Sequence, residues 1–80
     1  MVYNKNLNLI PSIMSVLKVV EIMSDSTKSW EDATEKGIKR ASKTVKNIKS
    51  AYVQEQSVTV SDNNVKSYRV NLKVSFGVDD

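Results

Sequence analysis

The hydrophobic pattern divides the chain into one amphipathic segment and three β-like segments. Residues 16–23 are mostly apolar and rich in β-branched side chains, which predicts a first strand. Residues 24–28 are polar and predict a loop. From residue 30 onward, apolar and small residues recur every three or four positions, the spacing of one helix face. These positions are Trp30, Ala33, Gly37, Ile38, Ala41, Val45 and Ile48. The spacing predicts a helix that ends at Asn47 and Ile48.

The predicted helix has residues typical of helix termini at both ends. Ser29 is suited to cap its N-terminus, with Asp32 three residues on completing a box-like arrangement. Acidic residues gather at the start and basic residues at the end, as the helix dipole favours. Ala33, Gly37 and Ala41 are small, so we expect the helix to lie close to a sheet.

The second half of the chain predicts a strand hairpin. Residues 51–60 form the second predicted strand, and residues 61–64 (Ser-Asp-Asn-Asn) form a turn, because asparagine tolerates left-handed backbone. A turn through Asn63 and Asn64 places Arg69 near Val58. The third strand alternates strictly, which indicates one packed face and one polar face. The apolar face carries Tyr68, Val70, Leu72, Val74, Phe76 and Val78, and the polar face carries Ser67, Arg69, Asn71, Lys73 and Ser75.

Length and composition favour self-association. The 80 residues make one domain, and a chain of this size buries only about 60% of the surface that it exposes when unfolded. Small folds usually gain stability from disulfides, a metal or oligomerisation. The sequence has no cysteine and no histidine, which excludes disulfides, thiolate ligands and imidazole ligands. One helix covers only part of a three-stranded sheet, so we expect the remaining apolar surface to pack on copies of the chain.

Charge and motifs argue against several functions. The net charge is +3, and we interpret the basic stripe on the predicted helix as a solvated face, not a nucleic-acid surface. The stripe consists of Lys36, Lys39, Arg40, Lys43, Lys46 and Lys49. No serine has a histidine partner, and Gly37 and Gly77 do not make a phosphate-binding loop. No segment reaches the roughly 20 apolar residues of a membrane span. We therefore predict neither an enzyme nor a partner of nucleic acid or membrane.

Three further features allow a functional and a structural interpretation. Trp30, the only tryptophan, is more consistent with packing than with ligand stacking. Glu55 on the second strand and Arg69 on the third form either a simple salt bridge or part of a polar site enclosed by oligomerisation. Acidic residues near the loop before the helix and at the C-terminus suit calcium or magnesium, but no ligand loop is present, so metal ligands stay unassigned. These acids are Asp25, Glu31, Asp32, Asp79 and Asp80.

Residues 16–78 resemble a whole subunit of the dodecins, small proteins that assemble into hollow shells and bind flavin. The resemblance is carried by residues 29–33 (Ser-Trp-Glu-Asp-Ala), by Asn47 and Ile48, and by residues 68–76. It implies an α+β fold with a β-α-β-β subunit, whose three-stranded antiparallel sheet partly wraps one helix, assembled as a hollow homododecamer. We expect residues 14–80 to form this domain. Residues 1–13 are then a flexible N-terminal extension or an arm that packs on a neighbouring subunit.

The resemblance also implies where a flavin such as FMN, riboflavin or FAD is held. Dodecins stack flavins in pairs between tryptophans, and the position of that tryptophan is Ser50 here. A flavin-contacting glutamine of the third strand corresponds to Arg69, and an acid of the second strand corresponds to Glu55. We therefore predict cofactor binding by Ser50, Glu55 and Arg69 in a small-molecule storage shell. Because serine has no π-face, flavin binding is expected to be weakened or altered.

The resemblance leaves an alternative function open. A chain without the tryptophan, but with Glu55 and Gln56 on the second strand and Tyr68 and Arg69 on the third, is similar to a subgroup of calcium-binding dodecins. The alternative is therefore an ion-stabilised structural dodecamer that has lost flavin binding. We expect a cytoplasmic protein in both cases.

Overall fold

The computed structural model describes residues 16–78. The elements follow in the order β1 (Val16–Ser26), α1 (Trp30–Ala41), β2 (Ile48–Ser61) and β3 (Asn64–Val78). The strands form one antiparallel sheet in the order β1-β3-β2, so β3 is central and the other two are edge strands. The predicted β-α-β-β subunit of the α+β class is confirmed. The predicted extension at residues 1–13 lies outside the described residues.

The first strand is longer than predicted. The predicted loop at residues 24–28 begins inside β1, which continues to Ser26 because Asp25 and Ser26 still pair with Arg69 and Tyr68 of the central strand. The side chains of residues 24–26 are polar, which is typical of a loop, although the backbone there is extended. The longer strand brings Asp25 beside Arg69, a contact that the predicted loop does not include.

The helix is shorter than predicted. It ends at Ala41, where the Ser42 hydroxyl donates to the Lys39 carbonyl at 2.7 Å. The amides of Lys43 and Thr44 then donate to carbonyls three residues back, at 3.2 and 3.1 Å, which tightens the last turn. A short hydroxyl side chain such as that of Ser42 competes with the helix for backbone hydrogen bonds. The helix therefore ends here, and the basic residues after Ala41 are not helical.

Val45 and Ile48 are therefore not helical, which corrects the predicted helix end. Val45 lies in the connection after α1, and Ile48 is the first residue of β2. Asn47 adopts the left-handed conformation, with φ of 62°, and turns the chain into the strand. Asparagine tolerates this conformation better than most residues. The apolar spacing continued past the helix because Ile48 packs on the same core from the sheet.

The start of the helix is joined to β1 by a polar network. The predicted cap is confirmed, since the Ser29 hydroxyl accepts from the Asp32 amide at 2.9 Å. The Asp32 carboxylate accepts from the Ser26 hydroxyl at 2.6 Å and lies 3.1 Å from the Lys36 ammonium. These contacts, led by the Ser26 hydrogen bond, lower the pKa of Asp32. The negative carboxylate also lies at the end of the helix that its dipole favours.

The core is small and lies between the helix and the central strand. Ala33 of the helix and Val70, Leu72 and Val74 of β3 are fully buried. A side chain at Gly37 would place its Cβ 3.0 Å from Ser24 Cβ and 3.3 Å from a Leu72 methyl. Glycine thus permits the close contact between helix and sheet that the small-residue spacing predicted. Within residues 16–78, no helix is long and apolar enough to cross a membrane.

The predicted turn at residues 61–64 is confirmed, with Asp62 and Asn63 as its central residues in place of Asn63 and Asn64. Asp62 and Asn63 have φ of 53° and 63°, and Ser61 pairs with Asn64. Positive φ at both central residues is typical of a two-residue turn that matches strand twist. The turn and the irregularity between Thr59 and Val60 together place Arg69 opposite Ser57, so the predicted position of Arg69 near Val58 is confirmed to within one residue.

Much of the hairpin extends beyond the helix. A helix of 12 residues is about 18 Å long, whereas strands of 14 and 15 residues span about 50 Å. Ten large hydrophobic side chains of the described residues are at least 38% exposed, four of them on β1 and six on the hairpin strands. They are Val16, Leu17, Val19, Met23, Tyr52, Val53, Val58, Val60, Val65 and Val78.

Candidate functional site

The sheet has an apolar face under the helix and an opposite polar face. The predicted alternation of β3 is confirmed, because Val70, Leu72 and Val74 are buried in the core. Residues directly opposite each other in an antiparallel sheet point to the same side. We define the polar face as Arg69, Asn71, Lys73 and Ser75 of β3 together with the residues opposite them on β1 and β2.

Two irregularities of β2 decide which of its residues join the polar face. Val53 pairs with Leu72 and Glu55 pairs with Asn71, so Gln54 is an extra residue that reverses the alternation. As a result, Tyr52 and Glu55 lie on one face although they are three positions apart.

A second extra residue, Lys49, separates Ile48 from Ser50. Ile48 pairs with Phe76 on the core side, whereas Ser50 pairs with Ser75 on the polar face. Without this irregularity, Ser50 and Ile48 would point to the same side of the sheet. Four β2 residues therefore share the polar face, namely Ser50, Tyr52, Glu55 and Ser57.

The three predicted binding residues lie on this face but are not adjacent within one chain. Glu55 and Arg69 are diagonal neighbours on adjacent strands, about 7–8 Å apart. Ser50 lies opposite Ser75, six positions from Arg69 along β3, which is about 20 Å. The Ser50 and Ser75 hydroxyls are hydrogen-bonded at 2.5 Å. Any ligand smaller than this span touches both Ser50 and Arg69 only if two subunits contribute to its site.

Arg69 is paired with Asp25 of β1 and not with Glu55. Its Nε donates to Asp25 Oδ1 at 2.7 Å and its Nη2 donates to Oδ2 at 3.0 Å. The interpretation of Glu55 and Arg69 as a salt bridge is therefore wrong within the described chain. The bidentate hydrogen bonds lower the pKa of Asp25 and raise the pKa of Arg69. The two side chains are 43% and 39% exposed, so solvent screens the pair.

Trp30 packs inside the subunit, as its position in the sequence predicted. Its indole Nε1 donates to the Ser57 carbonyl at 2.9 Å, and its ring meets Tyr68 edge-on at 5.2 Å between centroids. The side chain lies against the core. It therefore links α1 to the hairpin and is separate from the polar face.

The acidic residues near the start of the helix do not converge on one point. No group of three or more aspartate or glutamate side chains able to hold a metal occurs within residues 16–78. Asp25 is engaged by Arg69, and Asp32 is engaged by Ser26 and Lys36. Asp79 and Asp80, which the sequence also suggested as oxygen ligands, lie outside the described residues.

Comparison with known proteins establishes the family. The family model described as Dodecin matches residues 16–79. The chain belongs to the dodecin family. It is 41% identical over 63 residues to calcium dodecin of Mycobacterium tuberculosis, and the match covers 79% of this chain and 89% of that relative. The family predicted from the sequence is therefore confirmed.

Solved dodecin structures share the fold. The chain superimposes on dodecin from Streptomyces davaonensis with a TM-score of 0.79 at 29% identity, covering 82% of this chain and 97% of that one. The TM-score is 0.73 at 38% identity for the calcium dodecin of Mycobacterium tuberculosis, covering 81% and 93%. The latter is described as a calcium-chelating antigen with a novel calcium-binding site.

The pair of Asp25 and Arg69 predicts a specific pH dependence of stability. The pKa of Asp25 is lower in the folded chain than in the unfolded chain. The pair therefore stabilises the fold fully at pH values above the ordinary aspartate pKa of about 3.9. The contribution is lost as pH falls through the folded-state pKa. Asp25→Asn removes it, so the variant should lose less stability than the native chain below about pH 4.

Thermal unfolding at one fixed protomer concentration, between about pH 2 and pH 7, measures this difference. We expect the pH-dependent loss of unfolding temperature to differ by only a few degrees between the native chain and Asp25→Asn, because the pair is partly exposed. Glu21→Gln, on the same strand and face, is the matched control, since the structure records no ion pair for Glu21 among residues 16–78. Equal pH slopes for the native chain and Asp25→Asn contradict the account.

Proposed function

We propose that the chain is the subunit of a hollow dodecameric shell that binds and stores a small molecule and does not catalyse a reaction. The observation that carries this proposal is the uncovered sheet. Among residues 16–78 of a single subunit, four hydrophobic side chains form the buried core, whereas ten large ones are exposed. Exposed apolar patches of this extent mark interaction surfaces. Membership of the dodecin family supports the closed form of the assembly.

The edge strands supply the surfaces for that association. In β2, only Ile48 and Thr59 are even partly buried, although the strand has 14 residues. A long exposed edge strand presents unpaired backbone groups that another chain can use. Copies that pair with the edge strands β2 and β1 satisfy these groups and bury exposed valines of both strands. We place the assembly in the cytoplasm, with itself and a small molecule as its partners.

The ligand site we propose lies on the polar face, with Ser50, Glu55 and Arg69 as contacts. The span between Ser50 and Arg69 supports a site shared by neighbouring subunits. Flavin binding is proposed to be weak for two reasons. Ser50 offers no ring, and the Arg69 guanidinium is already occupied by Asp25. An anionic ligand at Arg69 competes with that carboxylate.

Ser50→Trp is expected to strengthen flavin binding because it adds a stacking ring on the polar face. A stacked aromatic contact contributes about 0.5–1.5 kcal/mol, which lowers the dissociation constant about two- to tenfold. Quenching of riboflavin or FMN fluorescence during titration with protein measures this change. Ser61→Trp, at the exposed end of β2, controls for quenching by any added tryptophan. Equal dissociation constants for the two tryptophan variants contradict the proposed site.

A second candidate function is calcium binding between subunits. It is favoured by the relative described as calcium dodecin, at 41% identity. Since no three acids converge in the described part of one chain, an ion coordinated by several carboxylates needs ligands from neighbouring copies. Calcium takes six to eight oxygen ligands, so such a shared site is chemically reasonable.

Chelation tests the calcium candidate directly. If calcium bridges subunits, EGTA should lower the unfolding temperature or the assembled mass, and added Ca²⁺ should restore both. Native mass spectrometry and thermal unfolding before and after chelation report the two quantities. Magnesium serves as the control ion, because it demands a smaller, octahedral site. An unchanged mass and unfolding temperature after complete removal of calcium exclude the candidate.

A further inference from the structure

Tyr52 is the most exposed large hydrophobic residue of the described chain, at 66%. It lies on the polar face because of the extra residue at Gln54, two positions from Ser50 and directly opposite Lys73. Neither the family resemblance nor the strand pattern assigns it a role. An aromatic ring that stands on a polar surface, with its face open, is available for contact with another planar group.

The two cations of the polar face differ in their availability. Arg69 is held by two hydrogen bonds from its guanidinium to Asp25. Lys73 has no ion pair within the part of the chain that the structure describes. Glu21 stands opposite it on β1, but no ion pair joins the two side chains. Lys73 is therefore the cation that can accept an external anion without first displacing a carboxylate.

Hydroxyl groups complete the surroundings of Tyr52. The hydrogen-bonded Ser50 and Ser75 side chains form the next opposed pair on the same face of the sheet, and either hydroxyl can act as the donor. Cβ atoms of directly opposed residues are about 4.5–5.5 Å apart. One small area thus presents an aromatic ring, an ammonium group and two hydroxyls.

We propose that Tyr52 and Lys73 form a subsite for a planar aromatic anion. The ring of the ligand lies against Tyr52, and its negative group contacts the Lys73 ammonium. The inference rests on the proposed function as a small-molecule shell and specifies the chemical class that it binds. In this proposal Tyr52 supplies the aromatic contact with the ligand. The family resemblance instead assigns that contact to the position of Ser50, on the same strand and face.

Charge favours this occupant over a second copy of the chain. Covering Tyr52 with an apolar protein surface would also desolvate Lys73, and an unpaired buried ammonium is unfavourable. An aromatic anion covers the ring and neutralises the ammonium at the same time. The chain's net charge of +3 further favours anionic ligands.

Binding of two aromatic anions to the assembled protein tests the subsite. The probes are FMN and 1-naphthyl phosphate, which shares the planar ring and the phosphate but lacks the flavin. Isothermal titration calorimetry on the native chain, Tyr52→Leu, Tyr52→Phe and Lys73→Gln gives dissociation constants. Lys66→Gln is the matched control, an exposed lysine near the hairpin turn on the same strand. Native mass spectrometry checks that every variant keeps its assembled mass.

We expect Tyr52→Leu to weaken binding about two- to tenfold, because it removes the ring, and Tyr52→Phe to retain it. Lys73→Gln should weaken both probes, and Lys66→Gln neither. Unchanged FMN binding in Tyr52→Leu overturns the subsite but leaves the proposed function intact. Naphthyl phosphate binding that depends on Tyr52, without FMN binding, supports the subsite and rejects flavin as the ligand. Failure of both probes to bind, or loss of assembled mass in Tyr52→Leu, overturns the subsite.

Discussion

A 12-residue helix packed on strands of up to 15 residues leaves most of the sheet uncovered, and this mismatch in length determines the behaviour of the subunit. The helix buries the middle of β3 through Ala33 and the close contact at Gly37. Beyond the helix, valines of the hairpin are exposed to solvent, and β2 is an almost fully exposed edge strand. Neither disulfides nor histidine-bound metals are available to this sequence. Association between copies is the remaining source of stabilisation. In a closed shell, every edge strand can pair with a neighbouring copy.

The same sheet provides the chemistry on its other face. Two extra residues in β2 reverse the alternation, so that Ser50, Tyr52 and Glu55 all face away from the helix. The long β1 brings Asp25 to Arg69, which neutralises the strongest cation of that face. What remains open is the ring of Tyr52 beside Lys73. Backbone irregularities and strand length thus decide, as much as the residues present, which side chains this face exposes.

The sequence predicted the topology because its strongest patterns are local. The alternation of β3, the Ser29 cap and the small-residue face of the helix each reflect one element and the sheet beneath it. The helix end was wrong because Ile48 keeps the helical spacing while packing from the sheet. The partner of Arg69 was wrong because Asp25 stands in a polar stretch that resembles a loop. The β2 irregularities have no periodic signal, so the placement of Glu55 on the same face as Ser50 and Tyr52 is not predictable from alternation alone.

The size of the protein in dilute solution tests the central claim most directly. Sedimentation velocity across a dilution series, with circular dichroism on the same samples, reports mass and folding together. The account predicts a single species with the mass of a dodecamer of the 9.0 kDa chain, and loss of folded structure wherever dilution separates the copies. A monomer that keeps native circular dichroism and cooperative unfolding at low concentration contradicts it.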